Sequence, residues 1–137
     1  MSVVFVDTSA IYAVLDADDR YHSVATSGWN HLLDGLTTGE TEAITHGSVV
    51  VETTALVQHR LGMRAVRALH DDLLPLLRIH WVDELLHARS IAALLAADRR
   101  DVSYVDWTSF ELMRTLAVET AFTFDDHFAQ QGFAAWL

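Results

Sequence analysis

Four carboxylates stand where an α/β sheet would gather them. Asp7 follows the apolar run Val3-Val4-Phe5-Val6, Glu52 lies early in a helical pattern, Asp106 opens another, and Asp125 ends the short run from Thr120 to Phe124. Open sheets bind ligands just beyond such strand ends. Two carboxylates about 4 Å apart repel by ~4 kcal/mol at an effective dielectric of 20, so converging acids need counter-charge. The chain has no lysine to supply it. A hard divalent cation, Mg²⁺ or Mn²⁺, is the natural occupant, because it prefers carboxylate and water oxygens. Such an ion favours phosphate substrates and activates water, so no nucleophilic side chain is required. Each acid also has a simpler reading. Asp7 or Thr8 caps a helix, Ser103 to Asp106 has the form of a capping box, Asp125 is an N-cap, and Glu52 faces solvent.

The elements that would position these acids alternate in type. Val3 to Val6 reads as a buried central strand, followed by a helix with Ile11, Val14 and Leu15 on one face. The acidic turn Asp16 to Asp19 leads into a helix carrying Ala25, Gly28, Trp29, Leu32, Leu33 and Leu36. That turn is not a calcium loop, since Tyr21 and Ser27 stand where glycine and glutamate are required. Glu42 to Thr45 is a strand candidate. A helix then runs from about Val49 to Leu61 and ends at Gly62, and another runs from Met63 to Leu74, stopped by Pro75. Leu77 to Val82 is the next strand. The helix from Asp83 to Ala97 shows Leu85, Ala88, Ala92 and Leu95 in register, and the polar turn Asp98 to Asp101 precedes the helix of Asp106. Thr120 to Phe124 is a strand, Asp125 begins a short helix, and Gly132 to Leu137 forms an edge strand. Strands alternating with helices predict a mostly parallel sheet with right-handed crossovers.

Composition narrows the chemistry. The chain of 137 residues fits one domain, 1–137, and has no cysteine, which excludes a thiol nucleophile and a zinc-thiolate site. Net charge is −10 and all nine basic residues are arginine, so a broad electrostatic grip on nucleic acid is not expected. Arg20, Arg64, Arg67, Arg99 and Arg100 are the candidate phosphate contacts, with a solvated face as the alternative. A hydrophobic content of 51% and a mean hydropathy of +0.20 predict an oligomer or a tight partner. No leader or membrane span is discernible, and a cytoplasmic address fits. Among the eight histidines, Glu84 and His87 share a helix face but form a single pair, which does not make a diiron site. His127 reads as structural, at the mouth of the cleft.

The motifs resemble, in order, those of PIN-domain ribonucleases, particularly the VapC-type toxins of bacterial toxin-antitoxin modules. The matching stretches are Val6-Asp7-Thr8-Ser9-Ala10, the central Glu52, Ser103 to Phe110, and Ala121 to Phe128 followed by Gly132-Phe133. The resemblance implies a three-layer α/β/α fold with strand order 3-2-1-4-5. It also implies a Mg²⁺- or Mn²⁺-dependent endoribonuclease, a homodimer, and inhibition by a cognate VapB-type antitoxin. Asp7, Glu52, Asp106 and Asp125 align with the acidic quartet that binds metal and activates water, leaving Asp126 as a helix-start charge. Thr8, Ser9, Ser109 and Thr123 are expected to support the metal shell, with ordinary capping as the alternative. A catalytically silent binding module and a DNA nuclease stay open. Haloacid-dehalogenase-like phosphatases do not, since Ser9 stands where they need a second Asp, and both they and receiver domains need the missing lysine.

Overall fold

Residues 1–137 are described by a computed structural model, and the central strand is the one the sequence opens with. Strand β1 (Ser2–Val6) pairs in parallel with β2 (Thr41–His46) on one side and β4 (Thr120–Phe122) on the other. The short strands β3 (Arg78–His80) and β5 (Ala134–Ala135) complete the all-parallel order β3-β2-β1-β4-β5. Val4, Phe5 and Val6 are fully enclosed, as expected for a strand covered on both faces. Strand order reverses at β1, so its C-terminal end is the switch point of the sheet.

Helices α1 (Thr8–Leu15) and α2 (His22–Thr38) link β1 to β2, and α3 (Gly47–Arg60) and α4 (Met63–Ala68) link β2 to β3. The crossover from β3 to β4 runs through α5 (Glu84–Ala97) and α6 (Tyr104–Thr115), and the short α7 (His127–Gln130) precedes β5. The three layers meet in one aromatic core. Phe110 of α6 packs edge-on against Phe128 of α7 at 4.9 Å, and Phe128 stacks on Phe5 of β1 at 6.0 Å. This cluster fixes the start of α7, and with it Asp125, against the central strand.

Several elements differ from the sequence reading. The expected helix Met63 to Leu74 is α4 followed by a wide π turn, Leu69–Leu73, and a 3₁₀ turn, Leu74–Leu76. Pro75 lies inside that last turn, where a missing N–H costs nothing. The change of winding turns Leu69, Leu73 and Leu74 into the core. Strand β3 stops at His80 because Trp81 leaves the sheet to lie against Gly47, where an added Cβ would come within 2.5 Å of the indole. Strand β4 stops at Phe122, which frees Thr123 to turn towards Asp7. The C-terminal strand shrinks to two residues. The stripe Leu85, Ala88, Ala92 and Leu95 is correct in period but points outward; Leu86, Ala93, Leu94 and Ala97 are the residues of α5 that pack on the core.

Candidate active site

Asp7 is delivered by the sheet itself. Its N–H extends the β1–β4 ladder to Phe122 O at 3.0 Å, and its carbonyl accepts from Ala10 and Ile11 at the start of α1. It therefore occupies the N-cap position, yet its side chain makes no capping bond. Instead Oδ2 accepts from Ser9 Oγ at 2.8 Å and from Thr123 Oγ1 at 2.9 Å. Each hydroxyl has spent its hydrogen on Asp7, and each accepts a backbone N–H in turn: Phe124 to Ser9 at 2.9 Å, Asp125 to Thr123 at 3.0 Å. Burial pushes the Asp7 carboxyl up to about 6; the Ser9 and Thr123 bonds oppose the shift, and the negative charges of Asp106 and Asp125 add to it.

Asp106 does form the capping box, accepting from Ser103 N at 3.3 Å while Ser103 Oγ accepts from its N–H at 3.1 Å. The cap does not remove it from the cluster. Its Oδ2 is 3.8 Å from His127 Nδ1, and its carboxyl is raised by burial and then by the charge of Asp125, against the Ser103 bonds and His127. Asp125 Oδ1 accepts from the His127 N–H at 2.9 Å, while Asp126 is exposed at the N-cap of α7 without a side-chain bond. Asp125, not Asp126, faces the site.

Asp106, Asp125 and His127 offer ligand atoms within 4.8 Å of one another. His127 Nδ1 is enclosed and lies 3.0 Å from Asp125 Oδ1, yet it is aligned for no hydrogen bond. An orphaned imidazole nitrogen facing two carboxylates beside a third, buried one is a donor set that suits a divalent cation. Glu52 lies outside this group, half-buried on α3. It lines an open cleft of about 340 Å³ together with Asp7, Ser9 and Asp125.

The expected supporting hydroxyls divide. Ser9 and Thr123 hold Asp7. Thr8 instead accepts from the buried Thr53 at 3.1 Å, tying α1 to α3, and Ser109 is bonded to His46 at 2.8 Å and to the Val105 carbonyl at 2.9 Å. Neither of these two bonds a carboxylate of the site, although Thr8 lines the cleft beside Asp7. The arginines divide as well. Arg64, Arg67, Arg99 and Arg100 do not line the cleft, and Arg99 is spent on Asp101 at 2.7 Å. Arg20 lies over the Tyr21 ring, which is stacked flat on Phe124 at 4.6 Å along the cleft wall. The cation that does line the cleft is Arg60, lying over Tyr12 at 5.6 Å. Sequence reasoning missed it, and it underrated His127, whose spacing two residues after Asp125 was the available signal.

The PIN-domain family model matches residues 4–134. The 23S rRNA-specific endonuclease VapC20 of Mycobacterium tuberculosis is 33% identical over 132 residues, covering 96% of this chain and 95% of that protein. The crystal structure of M. tuberculosis VapC20, a sarcin-ricin loop cleaving toxin, matches with a TM-score of 0.82 at 31% identity over 97% of both chains. FitAB bound to an IR36 DNA fragment shares the fold at 20% identity and a TM-score of 0.66, over 98% of this chain and 96% of that one.

Proposed function

The chain belongs to the PIN-domain family, and from that premise we propose that residues 1–137 form a single metal-dependent endoribonuclease domain of a VapC-type toxin, held inactive by a cognate antitoxin. The observation that carries this reading is the convergence of Asp106, Asp125 and the orphaned His127 Nδ1 beside buried Asp7 at the switch point of the sheet. Asp7, Asp106, Asp125 and Glu52 would hold Mg²⁺ or Mn²⁺. A cation held there would supply Lewis acidity, making water easier to deprotonate and a phosphodiester easier to attack. The remaining work belongs to the chain. Ser9 and Thr123 fix Asp7 Oδ2 and leave Oδ1 without a protein donor. Arg60 in the cleft, with Arg20 stacked on Tyr21 beside it, would receive the RNA backbone as a positioning contact. An acidic cleft with so little positive charge also suits a basic antitoxin tail.

A substrate in ribosomal RNA follows from the relative that cuts 23S rRNA, and the place of action is then the cytoplasm. Brief induction followed by mapping of new 5′ ends in total RNA should show one or a few discrete cuts in large-subunit rRNA. The purified protein should make the same cuts with Mn²⁺ and none with EDTA. Cleavage that persists in EDTA, or cuts scattered without preference, would overturn the reading.

The homodimer has its own support. Val51 and Trp81 are both 66% exposed and line one apolar groove of about 410 Å³, and the outward Leu85 of α5, 60% exposed, adjoins Trp81. A second copy of the chain is the proposed cover. Light scattering should give about twice 15.3 kDa for the parent and the monomer mass for Trp81→Glu. A monomeric parent removes the proposal.

A further inference from the structure

His46 is the largest polar side chain enclosed in the core, and no step above uses it. It ends β2, caps α3, and reaches across to α6. Its Nδ1 accepts from Val49 N at 3.3 Å, and its Nε2 meets Ser109 Oγ at 2.8 Å. The hydroxyl hydrogen of Ser109 is committed to the Val105 carbonyl at 2.9 Å, so Ser109 accepts and His46 Nε2–H donates. The tautomer is thereby fixed. Protonation would turn a second N–H against the Val49 N–H, breaking the cap. The ring has no carboxylate to compensate a charge: Phe5 lies 5.7 Å away, and the ionisable neighbour is His80, its register partner on β3. Burial accordingly holds the imidazole down at about 4, with the nearby Val105 carbonyl opposing the shift and His80 adding to it.

The two elements joined this way are α3, which leaves the end of β2, and α6, which no strand directly precedes. Asp7 follows β1 directly, and Asp125, beyond the end of β4, is held by Thr123 and by the aromatic cluster at the start of α7. Glu52 depends on how α3 leaves β2, and Asp106 on how α6 lies beside it. We infer that His46 is a positioning residue that sets α3, carrying Glu52, against α6, carrying Asp106, through the chain Val49 N–H, His46, Ser109 and Val105 carbonyl. The inference rests on the metal-site reading of these acids. It concerns the spacing between Glu52 and Asp106, and not the chemistry at either.

The test compares the full-length parent with Ser109→Ala, His46→Asn and His46→Ala. Asn at a helix N-cap retains the acceptor for Val49 but is too short to keep the Ser109 bond. The readouts are Mn²⁺ binding by calorimetry, exchange of the Val49 amide, and kcat and KM on a cleaved RNA. Ser109→Ala and His46→Asn should stay folded, weaken Mn²⁺ binding about tenfold and lower kcat by a similar factor, as losses behind a metal site do, with KM within about twofold. His46→Ala should add rapid exchange at Val49. Folded variants that melt lower but bind Mn²⁺ and turn over as the parent does would make His46 merely structural and overturn the inference. A parent that binds Mn²⁺ but cuts no RNA would instead fail the nuclease reading, while the binding isotherms still decide the role of His46.

Discussion

Asp106→Asn should reduce RNA cleavage by about a thousandfold or more while leaving the fold in place. The substitution is nearly isosteric, and the amide oxygen can still accept from Ser103 N, so the capping box that starts α6 survives. What is lost is a negative charge in a half-buried position beside Asp125, where burial and then repulsion from Asp125 already raise the carboxyl. Removing it relieves the metal-free protein and weakens the site's hold on a cation. The melting temperature without metal should therefore hold steady or rise, while the Mn²⁺-induced gain in melting temperature shrinks. Asp7→Asn should be equally inactive. Ser9 and Thr123 can still donate to an amide oxygen, but the NH₂ that replaces Oδ1 faces the cleft, where a donor stands in place of the charge a cation needs. Parental cleavage by either variant in saturating Mn²⁺ would remove these acids from the site.

How much of this was legible depends on how local each interaction is. The central strand and Asp7 were readable because four apolar residues run directly into an acid, and a strand end is a local event. The capping box was readable at its own spacing, but its second role was not, since nothing near Ser103 announces that His127 lies 3.8 Å from Asp106. The neighbours of Ser109 are hidden from the sequence for the same reason. Its partner His46 is 63 residues away, and a hydroxyl on a helix reveals only that it faces inward. The stripe on α5 shows the limit of periodicity, which finds the apolar face of a helix without saying whether this chain or another molecule covers it. Pro75 signals a change of winding, but it lies inside the 3₁₀ turn and does not end the helical stretch. Leu69, Leu73 and Leu74 reach the core through a widened turn that no local preference demands.

The pH dependence of stability in the metal-free parent between about 4 and 6.5 should be a sum of opposed titrations, Asp7 and the likewise raised Asp106 against His46, and single substitutions should expose the contributions of Asp7 and His46. Asp7 titrates at about 6 when folded and at 3.8 as a free side chain, the reference for the unfolded state. Between those values the native state holds the extra proton, so raising the pH favours unfolding, by about 3 kcal/mol in all. His46 runs the other way, at about 4 when folded against 6.5. Over that window the unfolded state holds the extra proton, and raising the pH favours folding by a comparable ~3 kcal/mol. Asp7→Asn should therefore gain stability relative to the parent as pH rises from 4 to 6.5, and His46→Asn should lose it. Urea melts in EDTA at pH 4.5 and 6.5 read both slopes as differences from the parent, which cancels the exposed carboxylates common to all three proteins. Parallel pH profiles for parent and Asp7→Asn would show that Asp7 is not a perturbed carboxyl. Mn²⁺ competes with protons for the carboxylates, so its stabilisation of the parent should be larger at pH 7 than at pH 5. In Asp7→Asn that pH dependence should largely vanish, because the most strongly raised carboxyl of the site is gone.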